Sequence, residues 1–215
     1  MRELVATTLD DRLEPGSEIV EAGCGSGGLL EAIGPRFRCT GFDLDIDTAR
    51  GRVPGVTLVE AGIEQVPFGD AAFDALVAID VVSAAGVQDD RRALAECRRI
   101  LRPGGIFVMQ VAAYEWLRSG HDAAAGTGRR YSARRLQQML EEAGFDARVG
   151  YRVTLLFPPA ALHRIANRRI SKNDVGPVPR PLNSVLLSVM RFENRLVSRM
   201  RLPFGLSVFA LATAV

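Results

Sequence analysis

The sequence predicts an α/β fold: a seven-stranded, mostly parallel sheet with helices on both faces and a helical insertion between the last two strands. Three observations carry this expectation. Apolar runs rich in valine, isoleucine and leucine alternate with helical patterns, as a parallel sheet covered on both faces requires. Four glycines fall within six residues at the end of the first run, in EAGCGSGG at 21–28. About 45 residues, with prolines at 158, 159, 177, 179, 181 and 203, separate the last two runs.

Taken in order, the runs predict strands at 17–23, 38–44, 56–61, 73–82, 106–113, 147–157 and 206–214. Helical spacing predicts helices at 2–13, 27–34, 46–52, 90–101 and 132–143. The last of these opens at Ser132, whose hydroxyl can accept from first-turn amides, and stops at Gly144, which tolerates a left-handed C′ position. The first five strands alternate with helices and are expected to run parallel. The last two lack a short connection, and helical patterns near 160–171 and 182–200 place the intervening segment over the sheet.

At 215 residues, 47% hydrophobic and 24% charged, the chain can bury one core. A single domain over 1–215 is expected, with 158–202 as its insertion, serving as a substrate cap or an interaction surface. Cys24, Cys39 and Cys97 share no metal-ligand spacing, and three thiols make no disulfide framework, so no metal is expected and a reducing cytoplasm fits. MRELVATTLDDRLEPG mixes its charges and gives no secretory leader; no apolar stretch is long enough to span a bilayer.

The net charge is only +2 but uneven, because 158–202 holds nine basic side chains against Asp174 and Glu193. Arg191, Arg195 and Arg199 recur every four residues along one helical flank. A solvated face, docking to an anionic or carrier-bound partner, and peripheral contact with a membrane surface all stay open for it. Nucleic acid is not expected, since the overall charge is small and no recognition motif accompanies the patch. Monomer and homodimer are both compatible with the sequence.

The glycine bend raises the question of what approaches the backbone so closely that side chains are absent. A helix beginning just after Gly25 offers unpaired N–H groups to a ligand, and Gly23, Gly25 and Gly28 have the spacing of a dinucleotide-binding turn. Asp43 lies 20 residues after Gly23 at the end of the second strand, placed to accept two hydrogen bonds from a ribose diol. A nucleoside-bearing cofactor on a Rossmann-like sheet follows, with a ligand-free tight turn as the bland alternative.

The run Glu21, Gly23, Gly25, Gly27 resembles the first motif of class I S-adenosylmethionine-dependent methyltransferases, in which an acidic residue precedes the glycines by two. VPFGDAAFDALVAIDVV at 66–82 is similar to that family's stretch leading into its fourth strand, and ALAECRRILRPGGIFVM at 93–109 to its following helix, turn and fifth strand. The resemblance covers nearly all of the chain. It implies S-adenosyl-L-methionine as cofactor and S-adenosyl-L-homocysteine as product. It further implies that the backbone at Gly23, Gly25 and Gly27 packs against the methionine and ribose parts, with Glu21 orienting the ammonium. Asp43 would bind the ribose hydroxyls, Leu44 would lie against the adenine face, and the Ala78 carbonyl or Asp80 would receive the ammonium.

Two departures from the family pattern stand out. Gly62 occupies the position where relatives commonly carry an acidic acceptor for the adenine amino group, leaving backbone near Gly62 and Ile63, or Glu64, to substitute. One lost hydrogen bond costs about 0.5–1.5 kcal/mol, up to about tenfold in affinity. VVSAAGV at 81–87 lacks the acidic and histidine pair often found after the fourth strand, so neither metal nor base is expected there. Cys24 has no base beside it in the motif and reads as a small turn residue.

After the fifth strand, YEWLRSGHDAAAGTGRRYS at 114–132 must lie over the active face. It resembles a bacterial methyltransferase subgroup with a tryptophan, a His-Asp pair and Arg-Arg-Tyr before a helix and AGF, here at 143–145. The matching residues are Trp116, His121, Asp122, Arg129, Arg130 and Tyr131; Thr127 stands where relatives often have histidine. His121, oriented by Asp122, is the candidate general base, because imidazole titrates near neutrality. A structural network of that pair is the alternative. Tyr114, Trp116, Arg129, Arg130 and Tyr131 are candidate acceptor contacts, against a carboxylate clamp for the arginines and plain packing for Trp116. His163 reads as structural. The expected activity is methylation of a small-molecule acceptor, at oxygen of a secondary metabolite or glycan-related compound. A nonmethylating reaction on the same fold and a noncatalytic binding module are the alternatives.

Overall fold

The computed structural model describes residues 1–166, 179–197 and 200–215. Seven strands form one sheet: β1 (Glu18–Ala22), β2 (Arg38–Asp43), β3 (Thr57–Glu60), β4 (Phe73–Ile79), β5 (Leu101–Ala112), β6 (Phe145–Arg152) and β7 (Ser207–Ala214). Their spatial order is β3-β2-β1-β4-β5-β7-β6. The pairs from β3 to β5 are parallel, whereas β7 runs antiparallel to both β5 and β6. The helices are α1 (Arg2–Asp10), α2 (Gly28–Ile33), α3 (Asp47–Arg50), α4 (Asp90–Ile100), α5 (Gly120–Ala124), α6 (Ala133–Glu142), α7 (Phe157–Ala166) and α8 (Arg180–Val197).

Strand alternation explains why the central runs are apolar throughout. Val20, Leu76 and Phe107 face one side, where Leu94 and Ile100 of α4 and Leu136 and Leu140 of α6 cover them. Their neighbours Ile19, Ala75, Val77, Ile106 and Val108 face the other side, against Leu4, Val5 and Leu9 of α1 and Leu29 and Ile33 of α2. Both layers exclude water, so neither residue parity can be polar.

Two caps fix where helices start. Asp89 accepts from the amides of Arg91 and Arg92 at 3.0 and 3.1 Å, opening α4. Ser132 accepts from Arg135 N at 3.3 Å, opening α6, and Gly144 beyond its end has φ +87°. Because β2 and β3 lie on one side of β1 and β4 on the other, the strand order reverses at the carboxyl ends of β1 and β4. That switch point is where open α/β sheets bind ligands.

Some boundaries differ from the sequence expectation. β5 begins at Leu101, which pairs with Phe73 across an irregularity, rather than at residue 106. The apolar run at 147–157 ends as a strand at Arg152. Val153 then turns to φ +61°, and Glu193 of α8 takes the amides of Val153 and Leu155 at 2.5 and 2.9 Å. Pro158 and Pro159 follow in the first turn of α7, where missing amides leave no helical bond unmade. The segment 114–132 contains a short 3-10 helix, Glu115–Leu117, and α5. Of the insertion helices expected near 160–171 and 182–200, residues 167–171 and 198–199 lie outside the described residues. No described helix is long and apolar enough to cross a membrane.

Candidate active site

The glycine bend links β1 to α2, and Gly23, Gly25 and Gly27 have φ of +65°, +50° and +72°, a region glycine enters without steric cost. At Gly23 the missing side chain has a second reason: a Cβ there would stand 2.3 Å from Val81 Cγ2. Asp43, at the end of β2, ties the bend in place. Its Oδ2 accepts from Gly25 N at 2.8 Å and its Oδ1 from Leu44 N at 2.7 Å. The Phe42 carbonyl accepts from Gly23 N and Cys24 N at 2.8 and 3.1 Å.

Two hollows flank this bend. One, of about 360 Å³, is lined by Gly23, Asp43 and Leu44, by Gly62 and Ile63 after β3, and by Asp80 after β4. The structure therefore brings six of the ten expected cofactor residues to one cleft. Leu44 stands at its rim, 69% exposed. The other hollow, about 370 Å³, is lined by Glu21, Ser26, Gly28 and Ile79 together with α1. Ala78 is buried within β4, between Ala22 of β1 and Met109 of β5.

Glu21 is only 8% exposed, and its Oε2 has no hydrogen-bond partner among the described residues. Burial, with a smaller contribution from the Asp43 charge, pushes its carboxyl pKa up to about 8, although the Leu30 amide opposes this. An unpartnered carboxylate oxygen beside a wide hollow is suited to an ammonium ligand. Asp80 has φ +61°, an uncommon backbone for a non-glycine residue. Burial raises its pKa, against the Gln110 hydrogen bond and the charges of Arg152 and Arg130. Tyr114 and Val153 also have positive φ, at +54° and +61°. Three backbone outliers thus follow β4, β5 and β6 along the sheet's carboxyl edge.

Glu64 lines the first hollow, but its carboxylate is engaged by the amides of Gln88 and Asp89 at 3.1 and 2.8 Å. Cys24 is buried and burial pushes its thiol up to about 11, which suits a turn residue rather than a nucleophile. Among the described residues no group of three or more histidine, cysteine or acidic side chains could hold a metal.

On the other side of the site, Asp122 and Arg130 form a buried ion pair, each side chain 3% exposed. Asp122 also accepts from Ser119 N at 2.7 Å, and Arg130 donates to the Ala113 carbonyl at 2.7 Å. Arg129 donates to the carbonyls of Val87 and Gln88 at 2.6 and 2.7 Å. Tyr131 is 1% exposed and its hydroxyl donates to Asp90 at 2.9 Å. Arg130 and Tyr131, expected as acceptor contacts, are both buried, and their bonds fasten the 114–132 segment to the rest of the fold. Arg129 makes a similar bridge to the loop after β4. His121 lies in α5, but its side chain, like that of His163, is outside the described residues.

Tyr114 and Trp116 join an aromatic cluster that the sequence did not reveal. Tyr114 stacks on Tyr151 with centroids 5.0 Å apart, and Trp116 lies 5.6 Å from Tyr114 and 6.2 Å from Phe157. Phe157 in turn contacts Phe204 at 5.5 Å. Trp116 is 48% exposed, which leaves one face of the cluster open.

Residues 20–109 match the model of a methyltransferase domain. The chain is 31% identical over 137 residues to a probable S-adenosylmethionine-dependent methyltransferase of Mycolicibacterium smegmatis, covering 61% of this chain and 52% of that protein. It is 35% identical over 119 residues to the phthiotriol/phenolphthiotriol dimycocerosates methyltransferase of Mycobacterium tuberculosis, covering 51% of this chain and 41% of the relative. The chain thus spans about half the length of these curated relatives or less. In fold it is similar to phosphoethanolamine N-methyltransferase 2 of Haemonchus contortus, solved with S-adenosyl-L-methionine. The TM-score is 0.65 at 15% identity, over 99% of this chain and 52% of that one. The methyltransferase-domain match spans less than half of the chain.

Proposed function

We propose that this chain transfers a methyl group from S-adenosyl-L-methionine to a small-molecule acceptor, at oxygen of a secondary metabolite or glycan-related compound. The observation that carries the cofactor assignment is Glu21: a carboxylate 8% exposed, one oxygen unpartnered among the described residues, beside a bend that three left-handed glycines keep open. S-adenosyl-L-methionine offers an ammonium for such a group and supplies an electrophilic methyl on a sulfonium.

The chain's own residues then bind, orient and exclude water. Asp80 receives the ammonium in the cleft, Glu21 orients it from the adjoining hollow across the glycine bend, Asp43 holds the ribose hydroxyls, and Leu44 with Ile63 packs on the adenine. Gly62 leaves the adenine edge without an acidic side chain, so the backbone there carries that contact. The segment 114–132, held down by Asp122 and Arg130, closes the acceptor side, where alignment and water exclusion lower the barrier to an in-line displacement. His121, next to the anchored Asp122, takes the proton from the acceptor hydroxyl.

Calorimetry with S-adenosyl-L-homocysteine and NAD tests the cofactor. Binding of the former alone is expected, and binding of NAD with no response to the former overturns the assignment. Incubation with methyl-labelled cofactor and candidate acceptors tests the reaction, since a product formed without label would make it nonmethylating.

A further inference from the structure

We propose that Gln110 and Arg152 are positioning residues for Asp80: with Asn194 they form a relay, buried at its centre, that fixes the Asp80 carboxylate for the cofactor's ammonium. This role presupposes the cofactor reading above.

The relay crosses the sheet from the cleft to the insertion. Asp80 lines the cleft, and its Oδ2 accepts from Gln110 Nε2 at 3.1 Å. Gln110 is 7% exposed in the otherwise apolar IFVMQVAA of β5. Its Oε1 accepts from Arg152 Nη1 at 3.3 Å, and Arg152 Nη2 donates to Asn194 Oδ1 of α8 at 2.9 Å. A carboxylate on one side can only accept and a guanidinium on the other can only donate, so a single orientation of the carboxamide satisfies both. The Asp80 carboxylate is thereby aimed as well as held, and its own amide is pinned to the Gln110 carbonyl at 2.8 Å.

Arg152 is 4% exposed and makes no ion pair within the described residues, and its Nε has no partner there. A buried cation without a contacting anion is costly, so nearby carboxylates must compensate through space. Two do so: Asp80 across Gln110, and Glu193 of α8, which the amides of Val153 and Leu155 hold in place. If Arg152 served only to dock α8 on β6, neither its hydrogen bond to Gln110 nor the fixed carboxamide would be needed.

Two ligands separate positioning from packing. S-adenosyl-L-homocysteine carries the ammonium, whereas 5′-methylthioadenosine keeps the adenosine and the sulfur but has no amino acid end. Calorimetry on the full chain should show Arg152→Met weakening the first by about tenfold, about 1.4 kcal/mol, while leaving the second within about twofold. Arg152→Lys should recover part of the loss. Asp80→Asn combined with Arg152→Met should cost no more than the worse single change, because both remove one contact. Equal weakening of both ligands, or no weakening of either, overturns the proposal. Should Arg152→Met fail to fold, Gln110→Leu cuts the same link with Arg152 still present and is read by the same criteria. Wild-type protein that binds neither ligand refutes the cofactor reading itself, and the relay with it.

Discussion

The two sides of the cleft are made of different material. On the β1 and β2 side, the binding groups are a short bend and two carboxylates, and Glu21 keeps an unpartnered oxygen among the described residues. On the β5 and β6 side, Asp122, Arg129, Arg130 and Tyr131 all bond to the protein's own groups. A bend of a few residues between paired strands is fixed by sheet register and by the two amides that Asp43 accepts, so Glu21 Oε2 need not serve the fold. A 19-residue segment such as 114–132 must offset its own ordering entropy, and its charges do that work.

The largest effect should come from breaking the buried ion pair. Asp122→Ala leaves a guanidinium unpaired at 3% exposure, which costs about 3–5 kcal/mol. Denaturant unfolding should register this loss, with S-adenosyl-L-homocysteine affinity much less affected in protein that remains folded. An unchanged unfolding midpoint with a collapsed turnover number would mean that Asp122 serves chemistry alone, and the contrast between the two sides would fail.

Next in size is the pH response of the cofactor side. Glu21 has a folded pKa of about 8 against an ordinary 4.5, so the native state retains a proton that the unfolded chain has lost between those values. Stability without cofactor is therefore fully present below about 4.5 and falls as pH rises towards 8, by a few kcal/mol at most. Asp74 and Glu96 are lowered, and their contributions are lost only at more acidic pH. Thermal unfolding from about pH 5 upwards should thus show a decline that Glu21→Gln flattens and that S-adenosyl-L-homocysteine reduces. A flat profile in the unliganded wild type would mean that Glu21 is already partnered.

The same contrast explains what could be read from the chain alone. Strand positions were legible because both faces of the sheet are covered, and the glycine bend and Asp43 because their chemistry sits in backbone spacing. The partners of Asp122 and Arg129 were not, since charge alone does not say whether a loop arginine meets a ligand or a carbonyl. Arg152 and Gln110 lie 42 positions apart, on strands that β7 separates, and meet only through side chains that reach across β7. Gln110 did carry a signal, as a polar residue in an apolar strand. The end of β6 was misjudged because VTLLF continues the apolar run, while the Glu193 carboxylate that turns the chain comes from α8.

A smaller effect tests how tightly the acceptor side is fastened. Tyr131→Phe removes the hydroxyl bond to Asp90 at 2.9 Å and should cost about 1 kcal/mol in denaturant unfolding, with acceptor KM unchanged. A raised KM with no loss of stability would return Tyr131 to the acceptor contacts.

The smallest effect on the fold should come from Trp116, and it is the one that locates the acceptor. Trp116 is 48% exposed and its ring lies 5.6 and 6.2 Å from those of Tyr114 and Phe157, so exchange for phenylalanine keeps most of the buried half and much of both ring contacts. Trp116→Phe should therefore destabilise by about 1 kcal/mol or less. An open indole face beyond the end of β5 is nevertheless the surface an acceptor would meet once the charged residues of the segment are taken up by the protein itself. Steady-state kinetics on Trp116→Phe should give a severalfold higher acceptor KM with S-adenosyl-L-homocysteine affinity unchanged. If KM stays put, the aromatic cluster is packing only, and the acceptor must approach over the part of the sheet edge that the insertion covers.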